Sequence, residues 1–203
     1  MKYFFKMMDN TKKEQTVVFI DAGYLSKISQ HFGKGKHLKI DLLKFSRYLC
    51  IKQGLWCKNV YYYTAPPFQS EKPTKEEAER KAKYDSFISK IKKNPEMIVR
   101  EGRLQKICGE FTQKGVDTLL TMDLFEVSLT QKIRTIILLA CDTDFVPILK
   151  KLREEKGIKI ILYYYTDRIR KSKFSLSNHI IMSCDNKVLL TEEYFKQNLI
   201  EKK

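Results

Sequence analysis

Residues 135–149 read Thr135-Ile-Ile-Leu-Leu-Ala-Cys-Asp-Thr-Asp-Phe-Val-Pro-Ile-Leu149. The apolar run Arg134–Ala140 gives way abruptly to Asp142 and Asp144, and helical spacing follows over Asp144–Lys156 until Gly157 closes it in the usual C′ role. A short Ile/Leu run without polar alternation is the pattern of a strand covered on both faces of its sheet. A second apolar run, Ile158–Tyr165, comes directly after the helix. Strand, helix and strand in that order predict a parallel sheet.

The same alternation extends outward. Thr16-Val-Val-Phe-Ile20 reads as a buried strand that ends at Asp21. Tyr24–Phe32 and Asp41–Cys50 carry helical periodicity and are separated by the loop Gly33–His37. Asn59–Thr64 reads as a strand stopped by Pro66-Pro67, and Thr74–Lys93 as a charged helix opened by a capping box of Thr74 and Glu77. Met97–Glu101 predicts a third strand, residues 102–114 an irregular turn or hairpin, and Val116–Thr130 an amphipathic helix. Ile180–Ser183 reads as a short sixth strand. The expectation is an α/β fold with a mostly parallel sheet: one domain over residues 15–190, a tail over 1–14, and a tail or short helix over 191–203.

Composition narrows the function. The chain has 203 residues, 43% hydrophobic and 12% aromatic, which is too apolar for a mainly disordered protein. No run approaches the ~18–20 apolar residues of a membrane span, and Met1–Asn10 has no apolar stretch of secretory-leader type. Lys plus Arg is 39 against 24 for Asp plus Glu, a net charge of +15. That excess suits a polyanionic partner, nucleic acid first and a membrane surface second, although lysine bias alone can produce it; the partner expected is nucleic acid, with no membrane. The five cysteines form no CxxC pair and the three histidines are scattered, so neither a zinc ribbon nor a disulfide framework is expected. A reduced, cytoplasmic setting follows.

In an open parallel sheet, ligands bind beyond the carboxyl ends of the strands. Asp21 follows one strand there and Asp142 and Asp144 follow another, while Asp117 opens the Val116–Thr130 helix. Asp123 lies six residues further along, about 120° round the helix from Asp117. Crowded carboxylates repel unless a cation neutralises them or one is protonated. Oxygen donors of this kind select Mg²⁺ or Mn²⁺, ions that activate water and orient a phosphodiester. The same aspartates also suit helix caps: Asp21 before the Tyr24 helix, and Asp142 or Asp144 before the next.

Three segments resemble one family. Val18-Phe-Ile-Asp-Ala-Gly-Tyr-Leu25 is similar to the first-strand motif of NYN domains, PIN-like nuclease domains of the LabA and DUF88 type. Arg103-Leu-Gln105 with Gln113-Lys-Gly-Val-Asp-Thr-Leu-Leu-Thr-Met-Asp123 looks like their KGVD segment, and Ile137–Leu149 like their SGDSDF motif. The resemblance covers about residues 16–166. It implies a three-layer α/β/α sandwich, PIN-like and Rossmann-like, that cleaves RNA with a divalent metal. It places Asp21, Asp117, Asp142 and Asp144 at the catalytic and metal centre, with Asp123 as a further metal ligand. Three departures stand out: Tyr24 where many members have Asn, Ala140-Cys141 for Ser-Gly, and Thr143 for Ser.

Around that centre, Lys114 beside a helix N-terminus could hold a phosphate, and Arg103 could contact RNA or brace the 102–114 turn. Thr143 and Tyr24 complete the expected nucleic-acid contacts with Arg168, Arg170, Lys171 and Lys173, a basic stretch emerging after Ile158–Tyr165. The tyrosines Tyr61–Tyr63 read as core, and Phe68 as the better stacking ring. The expected activity is metal-dependent hydrolysis of single-stranded RNA, RNA ahead of DNA; a homodimer is compatible with it. The alternative is an inactive NYN-fold module that binds nucleic acid or protein.

Overall fold

Val17, Val18, Phe19 and Ile20 are fully buried in strand β1 (Gln15–Asp21), and they alternate between two separate cores. The computed structural model describes residues 13–107, 110–167, 172, 174 and 176–200. In it β1 is a central strand. It pairs in parallel with β2 (Trp56–Thr64) on one flank and β6 (Thr135–Leu139) on the other. β3 (Met97–Glu101) extends the sheet beyond β2, and β7 (Lys159–Tyr164) and β8 (Asn186–Leu189) extend it beyond β6. The resulting order is β3-β2-β1-β6-β7-β8, and every pairing in it is parallel.

Helices cover both faces. Val18 and Ile20 pack with Leu25 and Ile28 of α1 (Ala22–Phe32), Phe45 and Leu49 of α2 (Leu42–Lys52), and Phe195 of α7 (Glu192–Lys196). Val17 and Phe19 pack with Leu120 and Leu124 of α4 (Val116–Thr130), Leu149 and Leu152 of α5 (Val146–Lys156), and Ile180 of α6 (Asn178–Met182). The long helix α3 (Lys75–Lys92) starts on the expected capping box of Thr74 and Glu77, yet buries only Ile88 fully. This is a three-layer α/β/α sandwich of PIN-like type. Tyr61, Tyr62 and Tyr63 are core residues, as their apolar setting predicts.

Topology sets where a site can form. The chain lays β1, β2 and β3 outward along one flank, then returns to place β6 against the other side of β1. Loops leaving β1 and β6 therefore diverge to opposite faces, and the crevice between them is the usual ligand position in such sheets. Among the described residues no helix is long and apolar enough to cross a membrane.

Three segments differ from the sequence expectation, while residues 102–114 take the hairpin that is one of the two forms expected there. Ile180–Ser183 is not a strand: it falls in α6, whose N-cap Ser177 accepts a hydrogen bond from the His179 N–H. An apolar triplet is too short to display a period, and the cap decides for helix. The last strand is instead Asn186–Leu189, a largely exposed edge strand without the apolar run that marks its neighbours. Residues 102–114 resolve into a separate antiparallel hairpin, β4 (Arg103–Ile107) with β5 (Glu110–Lys114). The helix after β6 also divides, a 3-10 turn over Thr143–Phe145 preceding α5, with Pro147 in the first turn of α5 where its missing N–H costs nothing.

Gly102 sets the hairpin against the sheet. Its N–H donates to the Thr64 carbonyl at 2.8 Å. A Cβ there would lie 2.5 Å from the Lys114 carbonyl oxygen and 2.6 Å from Val116 Cγ2. Gly102→Ala is expected to cost about 1–3 kcal/mol by overpacking, read as a lower urea midpoint. An unchanged midpoint would show that the hairpin base is not packed in this way.

Candidate active site

Asp21 ends β1 and caps α1, its carboxylate accepting the Gly23 N–H at 2.8 Å. Across the β1–β6 crevice, Ile20 pairs with Leu139, so Ala140 and Cys141 carry the chain on to Asp142 beside Asp21. Asp142 caps the 3-10 turn by accepting the Asp144 N–H at 3.0 Å. The capping reading therefore holds for both residues, and both lie at the carboxyl edge of the sheet. Each cap also fixes its carboxylate relative to the sheet.

Asp117 stands in the first turn of α4, after Gly115 at φ 81°. The left-handed turn there favours glycine and carries the chain from the hairpin into the helix. Asp117 lies within electrostatic reach of Asp142 and Asp144, and Asp21 within reach of Asp117. Burial first, and then these like charges, hold the Asp117 carboxyl above its ordinary value. Burial also raises Asp21, against hydrogen bonds from the Gly23 and Tyr24 N–H groups and the attraction of Lys27, which lower it. No ion pair closes on any of the four aspartates among the described residues. Burial, then Asp21, push the Cys141 thiol up to about 11, so it stays protonated at neutral pH and is a poor nucleophile.

This donor set suits a divalent cation. Its oxygens are hard, no ion pair closes on its carboxylates among the described residues, and like charges add to burial in raising Asp21 and Asp117. Among the described residues, no three His, Cys, Asp or Glu side chains converge tightly enough to hold an ion as they stand. The fit is thus one of charge and donor type.

Two expected site residues are placed elsewhere. Asp123 is buried and faces the interior: Arg100 grips both its oxygens, at 2.8 and 2.9 Å, and the Tyr63 hydroxyl donates to it at 2.9 Å. Its carboxylate is used in joining α4 to β2 and β3. Tyr24, expected at the nucleic-acid face, is 3% exposed. Its hydroxyl donates to the Tyr165 carbonyl at 3.2 Å and accepts the Tyr165 N–H at 2.9 Å, latching α1 to the chain leaving β7.

Thr143 is exposed between the two aspartates. Arg103 and Lys114 are exposed and directly opposite each other in the hairpin, a like-charge pair that is unfavourable unless an anion lies between them. The hairpin also carries Phe111, 56% exposed, its ring 5.3 Å from that of Phe68. Arg168, Arg170, Lys171 and Lys173 lie outside the described residues. Sequence reading missed Lys27, the cation of α1 that acts on both Asp21 and Cys141. Its only signal is its place less than two turns along the helix that Asp21 caps.

A family model described as NYN domain matches residues 15–189. A crystal structure of a protein of unknown function from Vibrio parahaemolyticus has a TM-score of 0.60 at 16% identity, covering 95% of this chain and 100% of that one. That likeness bears on the fold alone. No curated protein matches the sequence.

Two substitutions separate structural from site carboxylates. Asp123→Ala leaves Arg100 without its partner and the buried Tyr63 hydroxyl unsatisfied. The expected loss is about 2–3 kcal/mol, since Arg100 stays partly solvated, or about 5–10 °C in Tm. Lost nuclease activity at an unchanged Tm would instead return Asp123 to the site. Asp117→Asn should raise Tm by about 1–2 °C in the absence of divalent ions, a small gain because the group is exposed. The folded Asp117 pKa is raised, so the penalty for its charge is full above that pKa and vanishes as pH falls below the unfolded value. The gain should therefore be present at pH 7 and absent in acid; a destabilised variant at pH 7 would contradict the repulsion.

Proposed function

The chain belongs to the NYN domain family, and on that footing we propose that it is a divalent-metal-dependent nuclease hydrolysing phosphodiester bonds, those of single-stranded RNA ahead of DNA. One observation carries the proposal: at the carboxyl edge of the sheet Asp117 lies within electrostatic reach of Asp21, Asp142 and Asp144, and no ion pair offsets the four among the described residues. A bound Mg²⁺ or Mn²⁺ would polarise the phosphoryl oxygens and offset charge on the leaving oxygen. Asp21 and Asp142, each locked by its cap, would hold the ion in a fixed place relative to the sheet. Asp117 and Asp144 would complete the charge balance, the proton on the raised Asp117 carboxyl competing with the cation so that binding strengthens as pH rises.

The remaining residues would bind the substrate. Arg103 and Lys114 are placed to share one phosphate, which removes their mutual repulsion. Thr143 offers a hydroxyl between the two aspartates. With the Cys141 thiol neutral, water rather than a protein side chain is the attacking group, and no covalent intermediate forms with the enzyme. A second reading, a module that binds without cleaving, draws on Tyr24: the position that is Asn in many relatives is occupied by the Tyr165 latch.

Asp142→Asn decides between them. Asn retains an oxygen to accept the Asp144 N–H, so the cap and the fold are expected to survive. Degradation of single-stranded RNA with Mg²⁺ or Mn²⁺ should fall at least about a hundredfold, the scale of losing one electrostatic stabiliser in a site. Equal degradation by variant and wild type, or none by either, would overturn the catalytic proposal.

A further inference from the structure

A cavity of about 570 Å³ opens between the first turns of α1, the α1–α2 connection and α3. It is of the size that encloses a small organic ligand, or about one or two nucleotides. Its floor is apolar, formed by leucines of α1 and α2 and by Tyr62 of β2. One wall is a single stripe of α3, with Lys83, Ser86, Phe87 and Lys90 at i, i+3, i+4 and i+7. Lys39 faces it from the α1–α2 connection. No carboxylate lines the cavity, and none of the three lysines takes part in an ion pair among the described residues.

The stripe is unusual for a helix that otherwise packs poorly. Phe87 is 41% exposed, and its ring meets that of Tyr62 edge-on with the centroids 6.1 Å apart. A solvated aromatic face between two lysines one turn away on either side offers stacking and charge together. The cavity also has a direction. Ala22 lines it, and Ala22 follows Asp21 in the chain. Tyr62 on its floor lies within electrostatic reach of the Asp21 carboxylate. The groove therefore begins at the acidic edge and runs away from it along α3.

We propose that this groove takes the single-stranded nucleic acid flanking the scissile phosphate, one base stacking on Phe87 while Lys39, Lys83 and Lys90 hold the backbone. The inference rests on the nuclease reading for its substrate class. It goes beyond that reading in assigning a face of α3 that none of the family motifs includes. Charge complementarity selects the occupant: three cations that close no ion pair among the described residues, set around an apolar floor, suit a chain of alternating phosphates and bases.

The test is fluorescence anisotropy of the full chain with a fluorescein-labelled oligouridylate, in EDTA so that binding is read without cleavage, across a salt titration. Lys83→Glu with Lys90→Glu should weaken binding at least about tenfold. It should also flatten the slope of log affinity against log salt by about 1–1.5, at ~0.7 per phosphate contact on a single strand. Phe87→Ala should weaken binding about tenfold with the slope unchanged, and Phe87→Tyr should restore it. Wild-type Tm in each variant would show that the loss is not unfolding, as the exposure of these side chains leads one to expect. Undiminished affinity in the variants, or no binding of the oligouridylate by wild type while a glutamate-rich amphipathic peptide saturates the same face, would overturn the proposal. Groove-dependent binding without product formation in Mg²⁺ or Mn²⁺ would sustain it and overturn the catalytic reading. Product formation with undiminished binding by the variants would do the reverse.

Discussion

The parallel pairing of β1 with β6 is the constraint on which the rest of the molecule depends. It sets Ile20 beside Leu139 and so brings Asp21 and Asp142 to the same carboxyl edge, where Asp117 lies within electrostatic reach of both and like charges oppose one another. Left to a flexible chain, such carboxylates would separate. Here they sit at the ends of two strands whose apolar residues are wholly buried on both faces, and burial of that kind contributes about 1.5–3 kcal/mol per large side chain. The core thus holds the acids near each other against a repulsion that is small by comparison. Burial first, and then like charge, raises the Asp21 and Asp117 carboxyl groups there.

The two capping carboxylates show how a side chain with a structural task can also stand in a candidate site. An aspartate that accepts its own helix's N–H has lost its rotamer freedom before any ligand arrives, which is the preorganisation a binding centre requires. Asp123 shows the opposite outcome for the same residue type. Six positions beyond Asp117 on α4, it meets Arg100 from β3 and Tyr63 from β2, and both its oxygens are taken. Neither partner is near it in sequence. The decision between site and scaffold is made by the order of strands in the sheet.

That contrast also explains what the sequence could disclose. Central strands were legible because burial on both faces leaves a continuous apolar run, and α3 and α4 because caps and stripes are local signals. The acidic edge was legible because strand ends and helix starts are local too. The hairpin was legible only as one of two alternatives, an irregular turn or a hairpin, since its exposed strands carry no apolar pattern, and α6 was misread because three apolar residues show no period. Tyr24 was placed at the nucleic-acid face by resemblance, but its partner, the Tyr165 backbone, lies 141 residues away. The groove beside α3 was invisible for a related reason: the stripe Lys83, Ser86, Phe87 and Lys90 reads as an ordinary solvated face until the fold sets Lys39 and Tyr62 opposite it.

A net charge of +15 and a cluster of four acids are compatible because they act over different ranges. At physiological ionic strength the screening length is about 8 Å. A phosphate chain approaching from further away meets mainly the lysine-rich surface. Part of that surface is already matched, as in the Lys81–Asp85, Lys151–Glu155 and Lys196–Glu192 pairs. Lys39, Lys83, Lys90 and Lys114 are not engaged in such pairs among the described residues, and they stand to either side of the acidic edge on α3, its neighbouring loop and the hairpin. Only within a screening length would the phosphate meet the aspartates, and there like charge opposes like. A divalent cation removes that last barrier, since it is the one species attracted by both the carboxylates and the phosphate. On this reading the basic surface supplies encounter and the acidic edge supplies selection, admitting the phosphodiester only where a metal stands between two sets of negative oxygens.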